Sequence, residues 1–307
     1  MRDESAGVTT TFALATPSYR GDLERCRLLC ASIDRFVTGQ AVHYLLVEDR
    51  DVALFRDLEG PRRRILPESQ LLPPWLRPSP DPLSFGKRRI WTGLGAIARG
   101  VPPLRGWHAQ QLRKFAVARA AGEDVILFAD SDMLFVRPFD LSSLERSGAI
   151  RLYRKPDAIA ADMAEHRQWC ENAAALLGLD KPTSPSHDYI NNLVSWRRAH
   201  VLSLLAEIER RSGRDWVSAI ARNRQFSEYL IYGCYVERVL GLEAAGHWPD
   251  ARELCKVYWI DADAEGFDRL RSFEDVLEPW QVAVGVQSFI GQPMDQIRTL
   301  FERQASA

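Results

Sequence analysis

Hydrophobic residues come in short runs separated by polar turns, and the spacing alternates between strand-like and helical. Thr11 to Ala15 is a strand-like run closed by Thr16, Pro17 and Ser18. Proline has no N–H to give a ladder, so the strand should end at Pro17. Gly21 and Asp22 then open a helix, with Asp22 as its expected cap. Cys26, Leu29, Cys30, Ile33, Phe36 and Val37 form one apolar stripe along it. A second strand is expected over Val42 to Val47, ending in Glu48, Asp49 and Asp51, and a third at Ile65 and Leu66 before Pro67. Residues 67–106 are broken by prolines and glycines and read as a long loop with one short helical piece.

Periodicity returns after the loop. A helix is expected over Trp107 to Ala120, followed by the strongest strand of the chain, Val125 to Phe128. Further strands are expected at Arg151 to Arg154, Asn191 to Trp196, Lys256 to Ile260 and Val282 to Gln287. Helices are expected over residues 158–178, Val201 to Arg211, Ser227 to Leu240 (with Ser227 as cap) and Met294 to Gln304. Strands alternating with helices argue for an α/β fold around a mostly parallel sheet flanked by helices.

Composition narrows the function classes. The 307 residues suffice for one large α/β domain, and 46% hydrophobic with 26% charged residues is ordinary for a globular chain. A net charge of −1 gives no global field for nucleic acid or an anionic membrane. Residues Met1 to Val8 lack the basic start and apolar core of a signal peptide. No apolar run approaches the roughly 18 residues that would span a bilayer, so a cytoplasmic location is expected. Cys26, Cys30, Cys170, Cys234 and Cys255 read as reduced core thiols, because no further ligands lie near the Cys26/Cys30 pair to build a zinc site.

The most informative segment is Val125-Ile126-Leu127-Phe128-Ala129-Asp130-Ser131-Asp132. An apolar strand delivers two carboxylates to its carboxyl end, where open α/β sheets bind ligands. If the chain stays extended through Ser131, both acids point to the same side. Two hard oxygen donors there suit Mg²⁺ or Mn²⁺ bridging a diphosphate. A bare Asp-x-Asp also serves as an ordinary turn; here the apolar strand before it and Met133-Leu134-Phe135 after it make the match more specific. In the preceding helix, Trp107, Gln110, Gln111 and Lys114 follow i, i+3, i+4, i+7 spacing and share one face. Such a stripe suits a cleft, with Lys114 on phosphate and the glutamines on hydroxyls; an exposed face with Lys114 in a surface pair fits the same residues.

Taken in order, Thr16-Pro17-Ser18-Tyr19 with Asp22, Gly106-Trp107-x-x-Gln110-Gln111-x-x-Lys114, Phe128-Ala129-Asp130-Ser131-Asp132 and Phe226-Ser227-Glu228-Tyr229 resemble a family of bacterial GT-A-type glycosyltransferase-like proteins, over roughly residues 10–290. The resemblance implies a single GT-A-like domain over residues 1–307. Its nucleotide-sugar half would span about 10–150, its smaller acceptor half about 151–293, and a closing helix 294–307. It implies a nucleoside-diphosphate sugar as donor, with UDP favoured, a Mn²⁺ or Mg²⁺ cofactor and a small-molecule or glycan acceptor. By position, Thr16, Ser18, Tyr19 and Asp49 would face the nucleoside. Gln111 and Lys114 would bind the donor, Asp130 the ribose or the metal, and Asp132 the metal. Gln287 stands where such enzymes often place a third metal ligand. Glu228 would be the catalytic carboxylate, as base in an inverting course or as support for an oxocarbenium ion in a retaining one; a capping glutamate in a first helical turn is the plain alternative.

Asp188, Tyr189, Asn191 and Asn192 form a second polar cluster; Asp188, Asn191 and Asn192 suit acceptor hydroxyls, and a simple Asx turn fits them too. His187 and His247 read as exposed loop histidines. Lys87, Arg88 and Arg89 read as a solvated run or as a loop closing over the diphosphate. Gly93-Leu94-Gly95-Ala96-Ile97-Ala98 matches a dinucleotide fingerprint only formally, since no good strand precedes it. Two other functions remain open: a GT-A domain that binds nucleotide or sugar without chemistry, and a sugar nucleotidyltransferase. The latter normally has a Gly-rich basic loop after its first strand, where this chain has only Arg20 and Gly21.

Overall fold

A computed structural model describes residues 9–79, 89–258, 277–287 and 293–305. The chain runs through β1 (Phe12–Pro17), α1 (Leu23–Phe36), β2 (Gln40–Val47), β3 (Arg63–Pro67), α2 (Gly106–Ala120), β4 (Val125–Phe128), β5 (Met133–Phe135) and β6 (Ala149–Tyr153). It continues through α3 (Ala164–Leu176), β7 (Val194–Arg197), α4 (Arg198–Ser212), α5 (Trp216–Ala221), α6 (Glu228–Tyr235), β8 (His247–Asp250), β9 (Cys255–Tyr258), β10 (Ala283–Val286) and α7 (Met294–Ala305).

The central sheet has five strands in the order β7-β4-β1-β2-β3. β4, β1, β2 and β3 are parallel, and β7 runs antiparallel to β4 at the edge. A parallel sheet is covered on both faces, which is why its strands read as unbroken apolar runs. β1 shows this directly: Phe12 and Leu14 pack with Leu29 and Ile33 of α1, while Ala13 and Ala15 belong to the larger core on the other face. β4 divides in the same way, with Val125 and Leu127 on the first side and Ile126 and Phe128 on the second. Trp196 of β7 anchors the larger core, its ring 4.6 Å from Phe128, 4.7 Å from Tyr232 and 5.2 Å from Phe115. Burying each such side chain contributes about 1.5–3 kcal/mol.

Smaller sheets frame the carboxyl end of the main one. β5 pairs antiparallel with β10, which pairs parallel with β9. β6 pairs parallel with β8. Two expectations are corrected in the stretch after β3. Its described part is not loop alone: it contains a small antiparallel sheet of Arg77–Pro78, Ile90–Thr92 and Leu104–Arg105, with strands too short to show a period in sequence. It also holds two short helices, Glu68–Leu71 and Leu94–Ala98. The helix expected from Ser227 ends its regular part at Tyr235 and finishes as a wider π turn over Val236–Leu240. Within 158–178, the first residues complete a strand, Lys155–Ile159, and the helix starts only at Ala164. Lys87, Arg88 and Ile260, the end of the strand expected from Lys256, lie outside the described residues. Among the described residues, no helix is long and apolar enough to cross a membrane.

Candidate active site

A cleft of about 1410 Å³ opens at the carboxyl ends of the parallel strands. Ser18 and Tyr19 enter it from the end of β1, Glu48 from the end of β2, and Asp130 and Asp132 from the end of β4. This is where the topology of a parallel sheet leaves room for a ligand, because the connections diverge there.

The chain does not stay extended through Ser131. It turns, the N–H of Met133 donating to the Asp130 carbonyl at 3.3 Å, and both acids still face the cleft. The turn allows β5 to start at once and pair with β10. Val286 N–H then donates to the Asp132 carbonyl at 2.9 Å, so the next residue, Gln287, also lines the cleft. Asp22 caps α1 without a side-chain hydrogen bond; instead its Oδ2 accepts from Ser131 Oγ at 3.4 Å.

α2 crosses beneath the cleft and is buried almost all round. Trp107, Gln110, Gln111 and Lys114 all reach the cleft, which excludes the exposed-face reading. Lys114 is 2% exposed and sits at the centre. Its ammonium lies 3.0 Å from Asp130 Oδ1 and 3.1 Å from Glu228 Oε1, and donates to the Tyr229 hydroxyl at 2.8 Å. Burial works against this charge, but Asp130, Tyr229 and Glu228 outweigh it and hold Lys114 well above the ordinary lysine range. Burial pushes the Glu228 carboxyl up, and Lys114 pulls against that rise. A lone salt bridge would lower this acid. Here two carboxylates share one ammonium, so the pull of Lys114 on Glu228 is divided and burial wins.

Glu228 opens α6, where an acid favours the helix dipole. Ser227 makes no side-chain cap there. The Glu228 N–H is taken instead by Gln111 Oε1 at 3.0 Å, which joins α6 to α2. The other end of that amide, Gln111 Nε2, is buried without a protein partner. Such a donor costs about 1–3 kcal/mol unless a water or ligand oxygen takes it.

Two of the expected nucleoside residues stand elsewhere. Thr16 is fully buried, its hydroxyl 2.9 Å from His43 Nε2, and does not line the cleft. Asp49 turns outward and accepts from the N–H and hydroxyl of Ser69. Glu48 takes the inward position: it is 3% exposed and pairs with Arg50 at 3.0 Å and Arg89 at 2.6 Å. Side chains alternate at the strand end, so only one of two adjacent acids can face inward. Arg113 also reaches the cleft, 3.3 Å from the buried Glu68.

Asp188, Asn191 and Asn192 also line the cleft. Asp188 makes an Asx turn, accepting from Ile190 N–H at 2.9 Å, and burial raises its carboxyl. Tyr189 turns away; its hydroxyl donates to Glu237 and its ring packs on Gly233. Leu193 has φ +61, a left-handed conformation unusual for a bulky residue, directly after the two asparagines. His187 lies outside the cleft, 3.5 Å from Asp157 and 3.7 Å from Glu237. His247 is not exposed: it is a buried β8 residue, its ring nitrogens 2.9 Å from the Ile150 carbonyl and 3.1 Å from the Tyr232 hydroxyl.

Among the described residues, no three or more His, Cys, Asp or Glu side chains are grouped to hold a metal ion. Asp130, Asp132 and the Gln287 amide supply hard oxygens at one place, which fits an ion that keeps waters and takes substrate phosphates as its remaining ligands. The chain is thus a mixed α/β protein with a polar cleft at the ends of its parallel strands and a buried lysine between two carboxylates. The chain is a member of the family of unknown function DUF6492, whose sequence model matches residues 8–302. No curated protein matches it in sequence. Among solved structures it is similar to apo mouse xyloside xylosyltransferase 1, at 10% identity and a TM-score of 0.45, covering 92% of this chain and 100% of that one.

Proposed function

We propose that this protein is a metal-assisted glycosyltransferase that moves a sugar from a nucleoside diphosphate, UDP by preference, to an acceptor hydroxyl or amine. The observation that carries the reading is the meeting of Asp130, Asp132, Lys114, Glu228 and Gln287 in one strand-end cleft. Asp132 and Asp130 would hold Mg²⁺ or Mn²⁺, with the Gln287 amide beside them. A bound ion would supply charge neutralisation for the departing diphosphate. Ser18, Tyr19 and Glu48 lie where the nucleoside would sit, and Gln111 Nε2 offers a donor to a sugar or phosphate oxygen. Asp188, Asn191 and Asn192 would orient the acceptor.

In an inverting course Glu228 accepts the proton of the acceptor hydroxyl. The acceptor oxygen bonds to the anomeric carbon, and the bond to the diphosphate oxygen breaks with its electron pair leaving on the nucleotide. A carboxyl raised toward neutrality by burial suits a base better than a fully exposed one.

Donor hydrolysis and thermal shift with UDP and GDP, with and without Mn²⁺, test the reading. Asp132→Ala should lose the metal-dependent part of nucleotide binding. Glu228→Gln should keep nucleotide binding and lose about 10²-fold or more in turnover. Full hydrolysis and transfer by Asp132→Ala would sink the proposal. The lack of a three-ligand metal cluster among the described residues favours a second reading, a domain that binds nucleotide or sugar without chemistry. Metal-dependent nucleotide binding with no turnover of any donor would select it.

A further inference from the structure

We propose that Trp107 and Trp169 form a stacking platform for a sugar ring of the acceptor, which makes the acceptor a glycan or glycoside rather than a small amine or alcohol. The inference rests on the glycosyltransferase reading and deepens it. Trp107 is 46% exposed, and it is the only strongly exposed large hydrophobic side chain among the described residues that lines the cleft. Its ring lies 5.5 Å from that of Trp169 at 38°, and Trp169 lies 4.8 Å from His166. Trp169 is held in place by its indole N–H, which donates to Gln225 Oε1 at 3.2 Å. The Trp169 indole is thus fixed while that of Trp107 stays open to the cleft.

An exposed indole on a cleft wall suits a ligand with one apolar face and a polar rim. A pyranose has that shape: its axial C–H groups are electropositive and pack on an aromatic face, while its hydroxyls point sideways. Partners for those hydroxyls are close in the fold. Asp188 and Asn191 line the same cleft as Trp169, and Asn191 Oδ1 is buried without a protein partner. The nucleoside is a poorer occupant, because the residues proposed to face it, Ser18, Tyr19 and Glu48, stand at the ends of β1 and β2, whereas Trp107 and Trp169 stand on α2 and α3.

The helix sets the distance. Trp107 and Lys114 lie seven residues apart on one face of α2, about 10 Å along its axis. Lys114 touches Glu228, so the platform and the proposed base are set about two helical turns apart along α2, an arrangement that suits a disaccharide or longer chain. The ring on the platform is therefore not the one that reacts, and it sets specificity by anchoring the chain beyond the reactive hydroxyl.

Saturation-transfer NMR and titration with maltose, cellobiose, lactose and N,N′-diacetylchitobiose test this, with open-chain glucitol as control. At least one disaccharide should receive saturation at its ring C–H protons in the wild type, and glucitol none. Trp107→Ala should weaken that binding tenfold or more and Trp107→Phe should retain most of it. Trp280→Ala, a partly exposed tryptophan outside the cleft, should leave it unchanged. Affinity for UDP with Mn²⁺ should stay within threefold in Trp107→Ala. Absence of disaccharide binding to the wild type, sugar binding that survives in Trp107→Ala, or loss of UDP affinity in that variant would each overturn the platform. Failure of the glycosyltransferase reading itself shows elsewhere, as no metal-dependent nucleotide binding by the wild type. Thermal melts of each variant confirm that it is folded.

Discussion

Replacing Lys114 with methionine tests the centre of the site. Methionine keeps much of the stem and removes the ammonium that touches Asp130, Glu228 and Tyr229. Deleting one partner of a buried ion pair costs about 3–5 kcal/mol, because the other charge stays buried. Asp130 retains 22% side-chain exposure and can be rehydrated, whereas Glu228 retains 5%, so the lower end is expected, about 3 kcal/mol. Urea denaturation measures it. The loss should also depend on pH. Burial already holds Glu228 above the usual carboxylate range, and removing Lys114 raises it further. A carboxyl with a raised folded pKa binds more protons folded than unfolded. Its contribution to stability therefore falls as pH rises from the unfolded value near 4.3 through the folded one. Lys114→Met should lose more stability at pH 8 than at pH 5. Adding Glu228→Gln should recover at least about 1 kcal/mol, since the uncompensated charge is then gone. If Lys114→Met loses under 1 kcal/mol, equally at both pH values and without coupling to Glu228, the electrostatic account of the site is wrong.

Three more outcomes are expected. The His247 imidazole is pushed down to about 3, first by burial, so it stays neutral in the fold while an unfolded histidine takes a proton near pH 6.5. Stability should then fall below pH 6.5 by up to about 1.4 kcal/mol per pH unit from this residue, and urea denaturation of His247→Gln at pH 7 and 5 should show a shallower slope. A Cβ at Gly233 would come within 2.3 Å of the Tyr189 ring, so Gly233→Ala should destabilise by about 1–3 kcal/mol in the same assay. Glu48→Gln should weaken nucleotide binding several-fold while Asp49→Asn leaves it within twofold; calorimetry showing the reverse order would return the outward acid to the site.

The parts legible in sequence are those where one local pattern dominates. Val125 to Phe128 is wholly apolar because both faces of the strand are covered, and the acids after it had to emerge at the sheet end. Pro17 closes β1 for the equally local reason that it has no N–H to give. Glu48 and Asp49 were harder, since two adjacent acids follow the same strand and only the turn after it decides which one faces inward. Thr16 reads like Ser18 in sequence, yet it is still inside the sheet, against His43 of the neighbouring strand. α2 hides its role because polar and apolar residues alternate around a helix that is buried on nearly every side. The contact between Lys114 and Glu228 joins residues 114 positions apart, and no periodicity carries that information.

That contact also separates the roles of two acids that look equivalent in sequence. Both polar contacts of Asp130, from Lys114 at 3.0 Å and Gln110 at 3.3 Å, fall on Oδ1. The backbone of Asp132 is instead fixed by β10, next to Gln287. A divalent ion approaching Asp130 therefore meets a carboxylate already partly neutralised by an ammonium, and the like charge of Lys114 opposes it. Ser131, between the two aspartates, donates to Asp22 and ties the turn to the start of α1. The Lys114 contact also acts on Glu228. Any cation or sugar hydroxyl that draws on Asp130 leaves more of the Lys114 charge to Glu228 and stabilises its ionised form. Charge at the proposed metal end and proton affinity at the proposed base end are thus coupled through one buried ammonium, which is why Lys114, rather than either aspartate, is the residue whose loss should disturb both.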